Sequence, residues 1–273
     1  MLDASDRRWD TAGMRIVVTG GSGDLGARVV RVLSGRGHDA VAASRRTGVD
    51  LSTGEGLDAA LAGADAVVHA ASSPTRPQTV DVAGAARIGA SLRHLGSPAH
   101  VVSISIVGCD RVPYPYYRAK VDSETALERS GVPTTIVRAT QFHPLAALLG
   151  SALRLGSTSF SLGDMRSQPV DIDWVAERLA DHATGTAPSG FVRAPELAGP
   201  TAYGAREISA LVAAHDGRTP PRVVRIPPVG EVMRGFSQGR NLPGPGAETG
   251  GRSFEDWLAA QPRPLPRRMH SPP

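Results

Sequence analysis

Short apolar runs alternate with helical periodicities along the first 155 residues. The run MRIVVTG at 14–20 is rich in β-branched residues and ends in glycine, which predicts a buried strand. Residues 24–35 place Leu25, Val29, Val32 and Leu33 at helical spacing, and Gly35 closes the period. Runs at 38–44, 64–72, 100–108 and 132–139 predict further strands. The stretches 54–62, 78–95, 116–130 and 141–154 predict helices. Such alternation implies parallel strands joined by right-handed crossovers, with helices on both faces. The expected fold is α/β, a doubly wound parallel sheet of Rossmann type over 14–155.

After about residue 155 glycine and proline become frequent and the rhythm breaks. Helical patches remain at 173–183 and 204–215, and RVVRIPPV at 222–229 reads as a strand ended by prolines. Residues 156–261 are therefore expected to form a small loop-rich substrate lobe packed on the sheet. Phe160, Met165, Phe191, Met233 and Phe236 are available there as apolar lining. Residues 1–13 read as an extension, and 262–273, mostly Pro, Arg and Ser, as a disordered tail.

Composition narrows the function. One cysteine, Cys109, excludes an internal disulfide framework and a cysteine-based zinc site. The eight histidines have no ligand spacing, so no metal is expected. No apolar stretch approaches ~18 residues and the start MLDASDRRWD is polar, so neither a membrane span nor a secretory signal is expected, and the default compartment is the cytoplasm. The net charge is +4, but the charges are scattered and aromatics make up only 4%, against the basic stripe and stacking rings of a nucleic-acid binder. The expected partner is a small-molecule substrate. The oligomeric state, monomer or homodimer, stays open.

Thr19-Gly20-Gly21-Ser22-Gly23-Asp24-Leu25-Gly26 follows the first strand and opens the first helix. In that position Gly20 permits a tight turn, Gly23 lets backbone N–H groups approach a pyrophosphate, and Gly26 lets helix and strand pack closely. The helix terminus presents unpaired N–H groups and partial positive charge to the anion. An NAD site commonly ends its second strand in an acid that binds the ribose hydroxyls. Here that strand ends in Ser44-Arg45-Arg46, a hydroxyl and two guanidinium groups suited to a 2′-phosphate. NADP(H) is thus preferred over NAD(H). Asp50 and Leu51 are candidates for the adenine edge.

Tyr116 and Lys120 stand four residues apart at the start of a predicted helix, on one face and one turn from each other. An ammonium there lowers the phenol pKa and can hold a nicotinamide ribose. Lys120 is the only lysine among 30 basic side chains, the rest being arginine. With four tyrosines in the chain, its falling four places after one is a coincidence of about one or two in a hundred. Upstream, Ser103 and Ser105 share one strand face and point toward the cleft where α/β proteins bind ligands. Either can donate to a substrate carbonyl oxygen, with Ser103 ahead of Ser105. Cys109 reads as a small buried hydrophobe, and Asp171 and Asp173 as helix-starting carboxylates.

TGGSGDLG at 19–26, SIS at 103–105 and YYRAK at 116–120 resemble the short-chain dehydrogenase/reductase superfamily, in its atypical or extended branch of NmrA-like and epimerase-like proteins. VRATQFH at 137–143 and QPVDIDWVAERLA at 168–180 extend the likeness over about 14–215. The resemblance implies pyrophosphate binding at Gly20, Gly23 and Gly26 and a catalytic group of Ser103, Tyr116 and Lys120. The 13 residues from Ser103 to Tyr116 suit the family's separation better than the 11 from Ser105. It also implies a nicotinamide-side loop with Arg138, Thr140, Gln141 and Phe142, the last two toward substrate. His143, just before Pro144, reads either as an auxiliary acid/base or substrate contact or as a residue that caps a loop. Ala70, Ala71 and Ser72, which end the 64–72 strand, complete the cofactor set. Many short-chain reductases complete a proton relay with an asparagine. The only asparagine here is Asn241, in the Gly/Pro-rich stretch, so the relay is unassigned.

The expected function is hydride transfer between NADP(H) and a carbonyl or activated double bond, with Tyr116 as acid or base. Two alternatives stay open: a cofactor-binding redox sensor without chemistry, or an epimerase or dehydratase that keeps its cofactor.

Overall fold

In the computed structural model the described residues are 13–152, 154–155 and 158–266, with the side chains of 151–157 outside the description. Most of the expected amino-terminal extension and of the expected tail lies outside that range.

The first strand, β1 (Arg15–Thr19), runs into α1 (Asp24–Gly35), and β2 (Asp39–Ala43) returns beside β1 in parallel. After a 3-10 turn at Arg45–Thr47 come α2 (Leu57–Leu61) and β3 (Ala66–His69). A π-helical turn at Gln78–Val82 leads into α3 (Ala83–His94). Then follow β4 (His100–Ile106), α4 (Pro115–Ser130), β5 (Thr134–Ala139) and α5 (His143–Ala152).

β6 (Arg154–Leu155), β7 (Thr158–Leu162) and β8 (Arg166–Ser167) are short. They precede α6 (Ile172–Thr184), β9 (Phe191–Arg193), β10 (Leu197–Ala198), β11 (Tyr203–Gly204) and α7 (Ala205–His215). The described chain closes with β12 (Arg222–Ile226), α8 (Gly230–Ser237), β13 (Glu248–Thr249) and α9 (Phe254–Ala259).

The main sheet has the order β13-β10-β5-β4-β3-β1-β2, all parallel, with β9 also on β5. Chain order reverses at β1, where β2 lies on one side and β3 on the other. In open α/β sheets that reversal opens the crevice that receives ligands.

Alternation along the strands divides the core into two layers. Ile16, Val18, Val68, Val102 and Val137 face α1 and α6 with Leu25, Val29, Leu33 and Leu179. Val17, Val67, Val101 and Ile136 face the other way, onto Leu57, Ile88, Leu92 and Leu127 of α2, α3 and α4. Strands buried on both faces read as continuous apolar runs, which is why they were legible in sequence.

The later described residues contribute to the main sheet and its helical layers as well as to smaller sheets. α6 completes one helical layer against α1, and β9, β10 and β13 extend the main sheet. Among the described residues, β12-β7-β6 and the β11-β8 pair lie outside it. β9, β10 and β13 are two or three residues long, too short to show a period, so the sequence reads as loop where the sheet continues. Within the stretch expected as a tail, residues 262–266 are described. The backbone N–H of Leu265 donates to Asp216 at 2.9 Å, and Leu265 packs on a cluster formed by α5, α7 and α9.

Candidate functional site

The glycine turn lies at the sheet's reversal. Gly20 has φ +73°, in the left-handed region that favours glycine, and a Cβ there would fall 2.7 Å from the Ala71 backbone. A Cβ on Gly26 would meet the Gly20 carbonyl oxygen at 2.2 Å. Both glycines are thus required by close backbone approach. Gly23, the N-cap of α1, differs: its Cβ would meet only the Gly20 oxygen, at 3.2 Å, and no side chain caps the helix. With no side-chain cap, the first turn of α1 leaves N–H groups for an anion, a cradle that fits a pyrophosphate.

At the end of β2, Ser44 Oγ is buried without a hydrogen-bond partner among the described residues. Arg45 and Arg46 are exposed and make no ion pair among the described residues. A hydroxyl and two uncommitted guanidinium groups fit a phosphate ester on a ribose. Asp50 is engaged in its own turn: its Oδ1 accepts from Ser52 N at 2.8 Å and Ser52 Oγ at 2.7 Å, and these bonds hold its carboxyl below the usual range. The Leu51 side chain belongs to the apolar core rather than to a cleft.

Ala71, against Gly20, is followed by Ser72, which carries the site onward. Ser72 Oγ lies 2.6 Å from Tyr116 Oη and donates to Asp81 Oδ1 at 2.5 Å. Asp81, on the π-helical turn, is 1% exposed. Its Oδ2 accepts from the Ser73 N–H at 2.9 Å, and Lys120 Nζ pairs with its Oδ1 at 2.8 Å. The Lys120 ammonium is also 5.7 Å from the Tyr116 ring centre. One helix face therefore does join phenol and ammonium, as the spacing in α4 predicts, and Asp81, a carboxylate that the sequence reading did not single out, pairs with Lys120 directly and reaches Tyr116 through Ser72.

His69 ends β3 beside this group, with Nδ1 2.8 Å from Thr19 Oγ1. Burial, then the Lys120 ammonium, push its pKa down to about 4, so the ring is neutral near pH 7. Ser103 pairs with His69 in the β3–β4 register and is buried. Its hydroxyl bonds neither Tyr116 nor Lys120 among the described residues.

Several other expected site residues are engaged elsewhere. Ser105 Oγ donates to Glu124 Oε1 at 2.6 Å. Arg138 spends Nε and Nη2 on Glu124, at 2.9 and 2.8 Å, and Nη1 on Asp110 at 2.8 Å. Burial opposes the Glu124 charge, but the bonds from Arg138 and Ser105 outweigh it and hold its carboxyl below the usual range. This cluster ties α4 to β4 and β5 and so fixes the helix that bears Tyr116.

Thr140 Oγ1 donates to the Gln168 carbonyl at 2.6 Å. His143 is 0% exposed, between Phe254 and Trp257, with Nε2 3.1 Å from the Arg252 carbonyl oxygen. It anchors α5 to the late helices and has no surface to offer a substrate. Gln141 keeps both amide atoms buried, beside Tyr117, and Phe142 packs against the core layer of α1 and α6. Cys109 is buried and its thiol is pushed up to about 11, first by burial and then by Glu124, which fits the expected inert side chain.

A cavity of about 350 Å³ is lined by Asp110, Arg111, Arg138 and Glu196, and another of about 490 Å³ by Arg166, Arg206, Glu207 and Arg225. Neither is lined by Tyr116 or the glycine turn, so the site is defined by its chemistry. Tyr117, beside Tyr116, packs with Val112 and Phe236 as an apolar wall. The expected lining residue Phe236 thus does reach the neighbourhood of the site.

The buried histidines have a measurable consequence. His100, bonded to Thr135 Oγ1 at 2.9 Å, is also pushed to about 4, chiefly by burial. Between about pH 6.5 and 4 the unfolded chain takes up protons at His69 and His100 that the native state refuses, so stability falls as pH falls through that window. From pH 7 to 5 the loss is roughly 1–2 kcal/mol for each. Thermal unfolding at the two pH values should show it, and His100→Gln should flatten the dependence. An unchanged melting temperature would contradict the assignment.

The parallel sheet, its reversal and the glycine turn define a dinucleotide-binding protein of Rossmann type. The NAD dependent epimerase/dehydratase family model matches residues 16–101. A reductase of Streptomyces griseus subsp. griseus, named for (4-alkanoyl-5-oxo-2,5-dihydrofuran-3-yl)methyl phosphate, is 32% identical over 218 residues, 74% of each chain. Among solved structures, an NADPH-dependent quinone oxidoreductase from Escherichia coli, complexed with NADPH, superposes with a TM-score of 0.68 at 16% identity, over 89% of this chain and 98% of that one. UDP-glucose 4-epimerase from Thermus thermophilus, in complex with NAD, gives 0.63 at 18% identity, over 90% and 99%. The chain belongs to the short-chain dehydrogenase/reductase superfamily, in the extended branch with the epimerase-like and NmrA-like proteins. The family binds NAD or NADP, so a nicotinamide dinucleotide is its cofactor class.

Proposed function

We propose that the protein is an NADP(H)-dependent reductase that delivers hydride to an activated double bond or carbonyl of a small substrate, with Tyr116 as the proton donor. The observation that carries this reading is the Tyr116–Ser72 contact one residue beyond Ala71, the neighbour of Gly20, with the chain's only lysine one helical turn away. Bound NADPH would supply the hydride. Gly20, Gly23 and Gly26 with the α1 terminus would hold the pyrophosphate, and Lys120 the nicotinamide ribose. Ser44, Arg45 and Arg46 would hold the 2′-phosphate.

As negative charge develops on the substrate, Tyr116 gives up its phenolic proton to it, and Ser103 steadies the oxygen. The name of the Streptomyces relative describes a ring double bond conjugated to two carbonyl groups, on a molecule bearing a phosphate ester. Hydride addition to such a bond leaves an enolate that takes one proton, the step suited to a single phenol.

Consumption of NADPH with that phosphate ester and with a panel of quinones and carbonyls tests the reading. Turnover of at least one member that depends on Tyr116 is the expected result. NADPH binding with no oxidation across the panel would sink it in favour of a cofactor sensor.

Cofactor preference has its own check. The double substitution Arg45→Ala, Arg46→Ala should weaken NADPH binding about 10- to 100-fold and leave NADH binding nearly unchanged. Equal losses for both nucleotides would remove the 2′-phosphate assignment.

A further inference from the structure

We propose that Asp81, acting through Ser72, holds Tyr116 as a neutral phenol that donates its proton, and so poises the site for reduction rather than oxidation. The inference rests on Tyr116 being the proton donor and adds what fixes its state. A serine hydroxyl has one hydrogen. Ser72 spends it on the Asp81 carboxylate, which can only accept, so across the 2.6 Å contact Tyr116 is the donor and Ser72 the acceptor. The order is Tyr116 O–H to Ser72 O–H to Asp81.

The same carboxylate pairs with Lys120 at 2.8 Å and offsets the ammonium that would otherwise draw the phenol toward its anion. Asp81 is held from every side. α4 brings Lys120 and Tyr116, and the Ser123 hydroxyl bonds the Asp81 backbone carbonyl at 3.1 Å. β3 brings the neutral His69, and the loop after it the Ser73 N–H. Among the described residues Asp81 contacts Ser72 and Lys120 directly and reaches Tyr116 through Ser72. It is a positioning residue, in a chain whose only asparagine, Asn241, donates to the Arg166 carbonyl oxygen.

The test is a titration of the four tyrosines in the full chain by carbon-13 ring labelling, with Tyr116→Phe to assign the signal. In Ser72→Ala and Asp81→Asn, Tyr116 should ionise about one pH unit or more below the wild type. Ser72→Thr, which restores the hydroxyl, should return it. Circular dichroism checks that each variant folds. Should Asp81→Asn fail, Ser72→Ala decides alone, because it leaves the Lys120–Asp81 pair in place.

Tyr116 titrating within about 0.3 unit of wild type in folded Ser72→Ala would overturn the proposal. The catalytic reading fails separately, through turnover that survives Tyr116→Phe. An unmoved titration beside an inactive Tyr116→Phe would discard only the role of Asp81.

Discussion

Tyr116→Phe should lower turnover about a thousandfold or more, while NADPH affinity stays within about threefold of wild type. The ring remains, so the contact with the Lys120 ammonium and the packing beside Tyr117 and Phe236 are kept, and only the hydroxyl is lost. The loss should fall on kcat, because the deleted group acts where charge develops and not where the dinucleotide is held. Cofactor affinity is read by quenching of protein fluorescence or by calorimetry, and turnover by NADPH consumption. A variant within tenfold of wild type in kcat would show that the proton comes from elsewhere. A variant that binds no NADPH would show that the phenol supports the cofactor and not the chemistry.

The second large effect is on stability. Glu124 is 2% exposed, accepts from Arg138 and Ser105, and lies 3.1 Å from Arg193 Nε. Glu124→Gln removes the charge and leaves the Arg138 guanidinium, itself only 9% exposed in its side chain, facing an amide and the single carboxylate of Asp110. Breaking one side of such a buried pair costs about 3–5 kcal/mol. The double replacement Glu124→Leu, Arg138→Met should lose less than the single one, because no uncompensated charge remains buried. Chemical denaturation measures both. A single-variant loss under about 1 kcal/mol would mean that water reaches the cluster and screens it. The single variant should also lower activity, because Glu124 stands one helical turn beyond Lys120 and clamps α4 to β4 and β5.

Most of the sheet was legible because its central strands are buried on both faces. Val17, Val67 and Val101 look one way and Ile16, Val68 and Val102 the other, and neither set tolerates a polar residue. α1 and α6 were legible for the complementary reason, since a single apolar stripe meets the sheet. β9, β10 and β13 were not. A strand of two or three residues has no period, and its membership of the sheet is settled by hydrogen bonds to β5 and β10 from distant parts of the chain.

At the site, what could be read was whatever local geometry imposes. The glycine turn needs glycine for backbone reasons, and Tyr116 and Lys120 lie together because a helix repeats every 3.6 residues. Ser105, Arg138 and His143 belong to segments that resemble functional ones, yet their side chains are spent on Glu124, Asp110 and the Arg252 carbonyl. A donor's partner across 14 or 109 residues leaves no mark on the local pattern. Asp81 had one visible signal, a lone carboxylate between Val80 and Val82 in an Ala/Gly-rich stretch.

By itself the amino-acid order determined the layered sheet, the anion cradle and the phenol–ammonium pair, because each follows from forces acting within a turn or two of chain. Tertiary packing alone decided which carboxylate meets that pair, which serine faces the phenol and where the late strands dock. Those are encounters between side chains far apart in the chain, and only a closed core brings them within hydrogen-bonding range.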